Sequence, residues 1–382
     1  MKKRTFIFLV VVIAAALLIW VSCSTTEPGE QGEEGAEASG IAVISDKWVG
    51  SAHAQYDSEA FAHWNESDPA EVPPACADCH STSGFRDYIG ADGTAAGTVE
   101  NAGRIEDPIN CTACHGATAA ALDSVTMPSG ITLANTGSSS VCMHCHGART
   151  SQATVDQGIP AGADLDTVLE KGAAVNPHYA IAAATQQGSA ANGGYEYEGK
   201  TYVGAFEHAE SVNSCTECHD PHSTHLVEVS RADANLCVEC HSEATSFENF
   251  RSISRSKVDY DGNGTAEPIY NEIQGMYAIL TQAIEGYSKA VTGNALALGT
   301  VYPYTYIDKN GDFVIDESEA VSDNGFTTFT PRLQKAIYNQ MFVLHDSANY
   351  VHNGKYVLQL MYDSIEDLSA KSGITTQGMT RP

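Results

Sequence analysis

Three patterns of apolar and polar positions divide the chain. From Phe6 to Val21 the run FIFLVVVIAAALLIWV is apolar without a break, behind the basic residues Lys2, Lys3 and Arg4. Its 16 residues fall short of the roughly 20 that a spanning helix needs and suit an export signal over residues 1–22. Residues 24–40, STTEPGEQGEEGAEASG, carry no large apolar side chain and cannot bury enough surface to offset ordering. They predict an acidic, flexible linker within 23–44.

The last third has a helical period. In IYNEIQGMYAILTQAIEGYSKAV the apolar positions are 269, 273, 276, 277, 280, 284, 287 and 291. PRLQKAIYNQMFVL (331–344) opens on a proline suited to the first helical position. NGKYVLQLMYDSIEDL (353–368) repeats the period at Val357, Leu360, Met361, Ile365 and Leu368. Between 45 and 250 neither period holds, and connections such as MPSGITLANTGSSS (127–140) are rich in turn formers. The expected fold is mainly α with much irregular structure: an irregular domain over 45–250, then a helical region over 251–382.

The chain has 382 residues, and 20 basic against 48 acidic residues give a formal net charge of −28. That balance disfavours nucleic acid as a partner and suits metal ions or cationic partners.

The cysteines change the picture most. Of eleven, Cys23 follows the apolar run directly, as in a lipoprotein signal, where it would be lipidated and anchor the chain to a membrane. Val21 and Ser22 fit that signal; Trp20 stands where leucine is preferred, so an uncleaved anchor is the alternative. The other ten fall into five copies of Cys-x-x-Cys-His: Cys76 and Cys79 with His80, Cys111 and Cys114 with His115, Cys142 and Cys145 with His146, Cys215 and Cys218 with His219, and Cys237 and Cys240 with His241. None is left over. This unit is the attachment signature of c-type haem: two thiols on one helical turn form thioethers, and the adjacent histidine binds the iron from below. Disulfides need no histidine after every second cysteine. Thioredoxin-like sites use one Cys-x-x-Cys beside a βαβ unit. Structural zinc wants four ligands where each copy supplies three. Five covalent haems are therefore expected, packed closely enough to form much of the core.

Nine histidines remain of 14. A second imidazole on the opposite face gives a six-coordinate, low-spin iron; an open face admits a substrate. His222, in CHDPH, lies too near His219 to fold over the same haem and is expected to reach a neighbour. His53, His63, His178 and His208 complete the candidate distal set, with His225, His345 and His352 in reserve. His144, inside CMHCH, is expected not to bind iron.

Two acidic stretches resemble calcium loops. DKNGDFVIDESE (308–319) places Asp308, Asn310, Asp312, Asp316 and Glu319 at oxygen-ligand positions, with Phe313 where glycine is usual. DYDGNGTAE (259–267) supplies Asp259, Asp261 and Asn263 but no glutamate at the twelfth place. The alternative for both is a solvated turn.

CADCHSTSGF, CMHCHGAR, the stretch from NPHY through GYEYEGKTYVGAFEH to CTECHDPH, and TPRLQKAIYN with HNGKYVLQLMYDSIEDL resemble the exported multihaem c-type cytochromes with doubled Cys-x-x-Cys-His motifs, found in anaerobic and metal-reducing bacteria. The resemblance implies bis-histidine haems and electron transfer in the periplasm or at the cell surface, in anaerobic respiration or extracellular electron transfer. Other redox proteins or extracellular acceptors would be the partners. Two alternatives stay open. One is a haem-dependent enzyme like the pentahaem nitrite reductases, which carry a lysine at the catalytic haem where every motif here ends in histidine. The other is a subunit of a cytochrome filament.

Overall fold

The computed structural model describes residues 34–208, 212, 214–226, 237, 240–242 and 247–382. The export signal and Cys23 lie outside the described residues. Helix α1 (Glu34–Val49) begins inside the stretch whose composition predicts a linker; glutamate and alanine in EGAEAS are strong helix formers that need no apolar face to start a turn. Residues 46–382 form one unit of contacts and are described by themselves below.

The motif region is built from short pieces, as its lack of period predicts: α2 (Glu59–Ala62), α3 (Pro74–His80), α4 (Thr82–Tyr88), α5 (Cys111–Cys114), α6 (Ala117–Ala120), α7 (Ser139–Cys145), α8 (Gln152–Gln157), α9 (Ala182–Gln187) and α10 (Cys215–Cys218). A small antiparallel hairpin joins β1 (Ser124–Thr126) to β2 (Thr132–Ala134), with Val125 opposite Leu133. Its three-residue strands are too short to leave a period in the sequence. Phe85, Ile89, Ala113 and Ala119 make a small apolar cluster beneath the first two motifs.

The three predicted helices form where the period places them: α11 (Ile269–Thr292), α12 (Pro331–Leu344) and α13 (Asn349–Ser372). Pro331 sits in the first turn of α12, and the Thr330 hydroxyl caps it by accepting the Leu333 N–H at 3.2 Å. A second hairpin, β3 (Leu296–Leu298) with β4 (Thr305–Ile307), covers their end. Helix α13 starts earlier than its period, across a break at Asn353, whose backbone is extended (φ −167°). There the Asn353 side chain accepts the Tyr356 N–H and donates to the carbonyls of Gln186 and Gly204. The position expected to begin the helix therefore caps its main segment.

Two apolar cores result. One is internal to the helices, around Ile273, Leu280, Tyr287, Leu333, Ile337, Val357 and Met361. The other joins Tyr338, Phe342, Tyr356 and Leu360 of α12 and α13 to Met127, Met143, Ile181 and Tyr195 of the motif region. The helices thus pack both on themselves and on the motif-bearing chain. No helix among the described residues is long and apolar enough to cross a membrane.

Candidate haem sites

Each described motif is one closed helical turn. The N–H of His115 donates to the Cys111 carbonyl at 2.7 Å, His146 to Cys142 at 3.0 Å, His219 to Cys215 at 2.9 Å and His241 to Cys237 at 2.7 Å. In the first motif the turn lies within α3. Asn110 caps α5, and Ser214 with Glu217 forms a capping box on α10. A turn with cysteines at i and i+3 brings both thiols to one side, with the histidine next in line. The ten motif cysteines form no disulfide.

Opposite the motif histidines stand other histidines. His80 faces His178 with ring centroids 5.8 Å apart and Nε2 atoms 3.5 Å apart. His115 faces His222 at 6.0 Å with the rings nearly parallel, 4° between planes. His146 faces His53 at 6.4 Å, and His241 faces His208 at 5.9 Å. Two first-row metal–imidazole bonds of about 2.0–2.1 Å on opposite sides of one ion would hold the nitrogens roughly 4 Å apart and the ring centroids roughly 6 Å apart. The side chains present therefore fit a bis-histidine haem at these four motifs. All four partners belong to the distal set expected from the sequence.

His63 does not join that arrangement. Its Nδ1 lies 2.7 Å from Glu59 and its ring packs edge-on against Trp64, while His178 takes the face of His80. An acceptor four residues back holds it locally. His352, a reserve histidine, is held by a carboxylate too. Its Nδ1 meets Asp346 at 2.8 Å. His225 contributes its carbonyl to the Asp220 N–H, and His345 stacks on Tyr179 at 4.6 Å.

Burial favours the ligating form of five of the histidines. Burial lowers the pKa of His53, His80, His146 and His219, and pushes His178 down to about 4. A neutral imidazole is what a metal binds. The tautomer is set as well. His80 Nδ1 donates to the Ala60 carbonyl at 2.7 Å and His146 Nδ1 to that of Ala180 at 3.1 Å, which leaves Nε2 for iron. His144 has other partners: its Nε2 lies 3.2 Å from Asp78, and the ring is flanked by Phe85 and Tyr88.

The motifs converge on the third. The Cys145 thiol donates to the Asp78 carbonyl of the first motif at 3.8 Å, and the Cys215 N–H of the fourth donates to Ser139 Oγ at 3.3 Å.

Both acidic loops are folded around their carboxylates. Asp308 accepts the Gly311 and Phe313 N–H groups at 2.6 and 2.9 Å, Asp312 accepts that of Val314 at 2.9 Å, and Glu319 that of Lys309 at 2.8 Å. Asn310 and Asp316 close adjacent turns in the same way. Phe313, at the usual glycine position, takes the left-handed conformation (φ +68°) that the turn demands. In the other loop Asp259, Asp261 and Glu272 bring carboxylate oxygens within 4.8 Å of one another, and Asn263 donates to Asp261 at 3.2 Å. Glu272, fully buried on α11, was not a candidate from the sequence. It stands two residues past the twelfth place, and only the turn of the helix brings it back to the loop.

Known proteins agree with this chemistry. The model for the doubled CXXCH motif matches residues 208–246. C-type polyheme cytochrome OmcB of Geobacter sulfurreducens is 25% identical over 365 residues, covering 80% of this chain and 45% of that protein, in strains DL-1/KN400 and PCA alike. C-type polyheme cytochrome OmcC of strain PCA is 25% identical over 388 residues, covering 86% and 47%. The chain spans about half the length of these curated relatives. No solved structure matches. Complete Cys-x-x-Cys-His turns, thiols outside any disulfide and opposed imidazoles, joined to these likenesses, make the chain similar to the multihaem c-type cytochromes of the doubled CXXCH kind.

Proposed function

We propose that the chain carries five covalent haems, each with two histidine ligands, and conducts electrons between redox partners outside the cytoplasm, in anaerobic respiration or extracellular electron transfer. The carrying observation is the facing of four motif histidines by four others, at separations suited to one intervening iron. When bound, haem c supplies a one-electron iron couple. The chain's own work is then positional. Ten thiols fix five porphyrins to short turns; His178, His222, His53, His352 and His208 close the faces opposite His80, His115, His146, His219 and His241. Carbonyls of Ala60 and Ala180 hold two of the motif rings in orientation. Histidine on both faces favours conduction over substrate turnover, because a reacting molecule needs an open position on iron.

The OmcB and OmcC likenesses support redox proteins or extracellular acceptors as partners. Cys23, following the apolar run, supports a lipid-anchored periplasmic or cell-surface location. An oxidised sample, purified with its haems, should show five haem additions by mass and only low-spin electron paramagnetic resonance signals. A high-spin signal that responds to nitrite or hydroxylamine would instead favour the enzyme reading.

Calcium completes the proposal, held by Asp308, Asn310, Asp312, Asp316 and Glu319 and, at the second loop, by Asp259, Asp261, Asn263 and Glu272. Calcium at a hundredfold excess over its Kd would stabilise the protein by about 2.7 kcal/mol. Chelation should then lower the melting temperature by roughly 5–10 °C, at about 2–4 °C per kcal/mol for a chain of this size. A melting curve indifferent to chelator and to added calcium would remove the cation from the proposal.

A further inference from the structure

A file of aromatic rings leads from the surface to the first motif. Tyr302 is 83% exposed at the tip of the hairpin between β3 and β4. Its ring meets Tyr304 edge-on with centroids 6.1 Å apart, and Tyr304 meets Tyr179 edge-on at 6.4 Å. Tyr179 lies 5.4 Å from His178, which faces His80 at 5.8 Å. Each step falls within the roughly 4.5–7 Å at which aromatic rings attract one another.

The backbone is bent to hold this file. In the segments that carry it, three residues other than glycine take the left-handed conformation: His178 (φ +81°), Ala180 (φ +55°) and Tyr304 (φ +66°). Such backbone is unfavourable beside a side chain and persists where the surroundings fix it. Two of the three bracket Tyr179, so that His178 meets His80 while Tyr179 stays 48% exposed. The hairpin tip is braced from within. The hydroxyl of the fully buried Tyr306 donates to the carbonyls of Val301 and Tyr302 at 3.1 and 2.8 Å, and the Tyr304 N–H donates to Val301 at 2.7 Å. None of these bonds uses the Tyr302 ring.

The chemistry of the rings sets what they would take. An aromatic face attracts other planar π systems, and a cation above it is drawn by the ring quadrupole. A formal net charge of −28 draws cations to the chain and repels anions. Acid also stands near the tip. The turn Ser322–Asn324 carries the exposed Asp323 and leads into Gly325, which pairs with Tyr306 and where a side-chain carbon would stand 3.2 Å from Pro303.

We propose that Tyr302, Tyr304 and Tyr179 form a port at which a cationic, planar aromatic electron carrier docks and exchanges electrons with the haem of the first motif. The step moves one electron and no proton: the reduced carrier loses it, and one ferric haem becomes ferrous. This rests on the reading of the chain as a haem-loaded conductor with an iron between His80 and His178.

The test uses methyl viologen with the full-length, haem-loaded protein. Binding is read by calorimetric titration of the oxidised dication into ferric protein, where no electron passes. The reduced radical cation is then mixed with ferric protein in the absence of oxygen, and haem absorbance gives the bimolecular rate. Tyr302→Ala should weaken binding and slow the rate by about tenfold each. Tyr302→Phe, which keeps the ring, should leave both within about twofold of the wild type. A zwitterionic sulfonatopropyl viologen, with the same rings and no net charge, should bind the wild-type protein more weakly than methyl viologen. Equal binding of the two viologens would overturn the cationic class of carrier. Binding or a rate indifferent to Tyr302→Ala would overturn the port and leave conduction standing. A wild-type protein whose haems neither reduced viologen reduces would instead sink the conduction reading, and the port with it.

Discussion

Cys142→Ala with Cys145→Ala should cost the protein one haem and most of its folded yield, whereas the same pair of changes at Cys111 and Cys114 should cost one haem alone. The difference lies in what surrounds each turn. Cys111 and Cys114 are exposed on the four-residue helix α5. The third motif instead touches the first through Cys145 and the Asp78 carbonyl, and its helix touches the fourth through Ser139 and the Cys215 N–H. Met143, between its cysteines, is 2% exposed in the core shared with α12 and α13, and the His146 carbonyl accepts the Ala183 N–H at 2.9 Å. On the proposed loading, removing that porphyrin leaves three neighbouring turns facing a void in place of a large apolar body. A loss of 1–2 kcal/mol already changes abundance several-fold, and this defect should lower the folded fraction by roughly tenfold or more. Haem-stained gels and mass spectra of both double variants read the result. Equal yields would mean that the motifs are independent attachments and that the third is no hub.

Asn339→Leu should unfold the protein about 10 °C earlier. Asn339 is fully buried in α12. Its Oδ1 accepts the Tyr195 N–H at 2.7 Å, and its Nδ2 donates to the Tyr195 carbonyl and to Ser364 Oγ, both at 3.0 Å. One amide thus imitates a backbone partner for the motif-region segment at Tyr195 and joins it to α13. Leucine fills the same volume and strands both backbone groups of Tyr195, at about 1–3 kcal/mol for each. The sum, about 4 kcal/mol, corresponds to roughly 10 °C for a chain of this length. Tyr302→Ala, at a side chain 83% exposed, is the control and should change stability by less than about 0.5 kcal/mol. Calorimetry showing the two variants melting together would refute the account.

Covalent chemistry and helical period were both legible before any coordinates. Ten cysteines in five identical units leave one economical reading, and α11, α12 and α13 declare themselves because one face of each must be apolar. The histidines that stand opposite motif histidines were legible where chain topology is simple: His222 lies too near His219 to fold over the same turn, and His178 and His208 lie in the long gap between the third and fourth motifs. His63 stands apart from these pairs, its Nδ1 met by Glu59 one turn back. The pairing of His352 with Asp346 was not legible because it is made at the corner between α12 and α13, which no local pattern announces. Glu272 was missed for a similar reason. The two hairpins escaped notice because three residues are too few to alternate.

The packing of α13 against the motif region also bears on how such a chain matures. Stitching thioethers needs only a short accessible peptide, so the fourth attachment can be made while the polypeptide is still emerging. On the proposed ligand set, sealing that site must wait for the final helices to dock and deliver His352. A product truncated before α13 would leave the assembly line coloured and correctly weighted in porphyrin, yet with one iron still open to carbon monoxide.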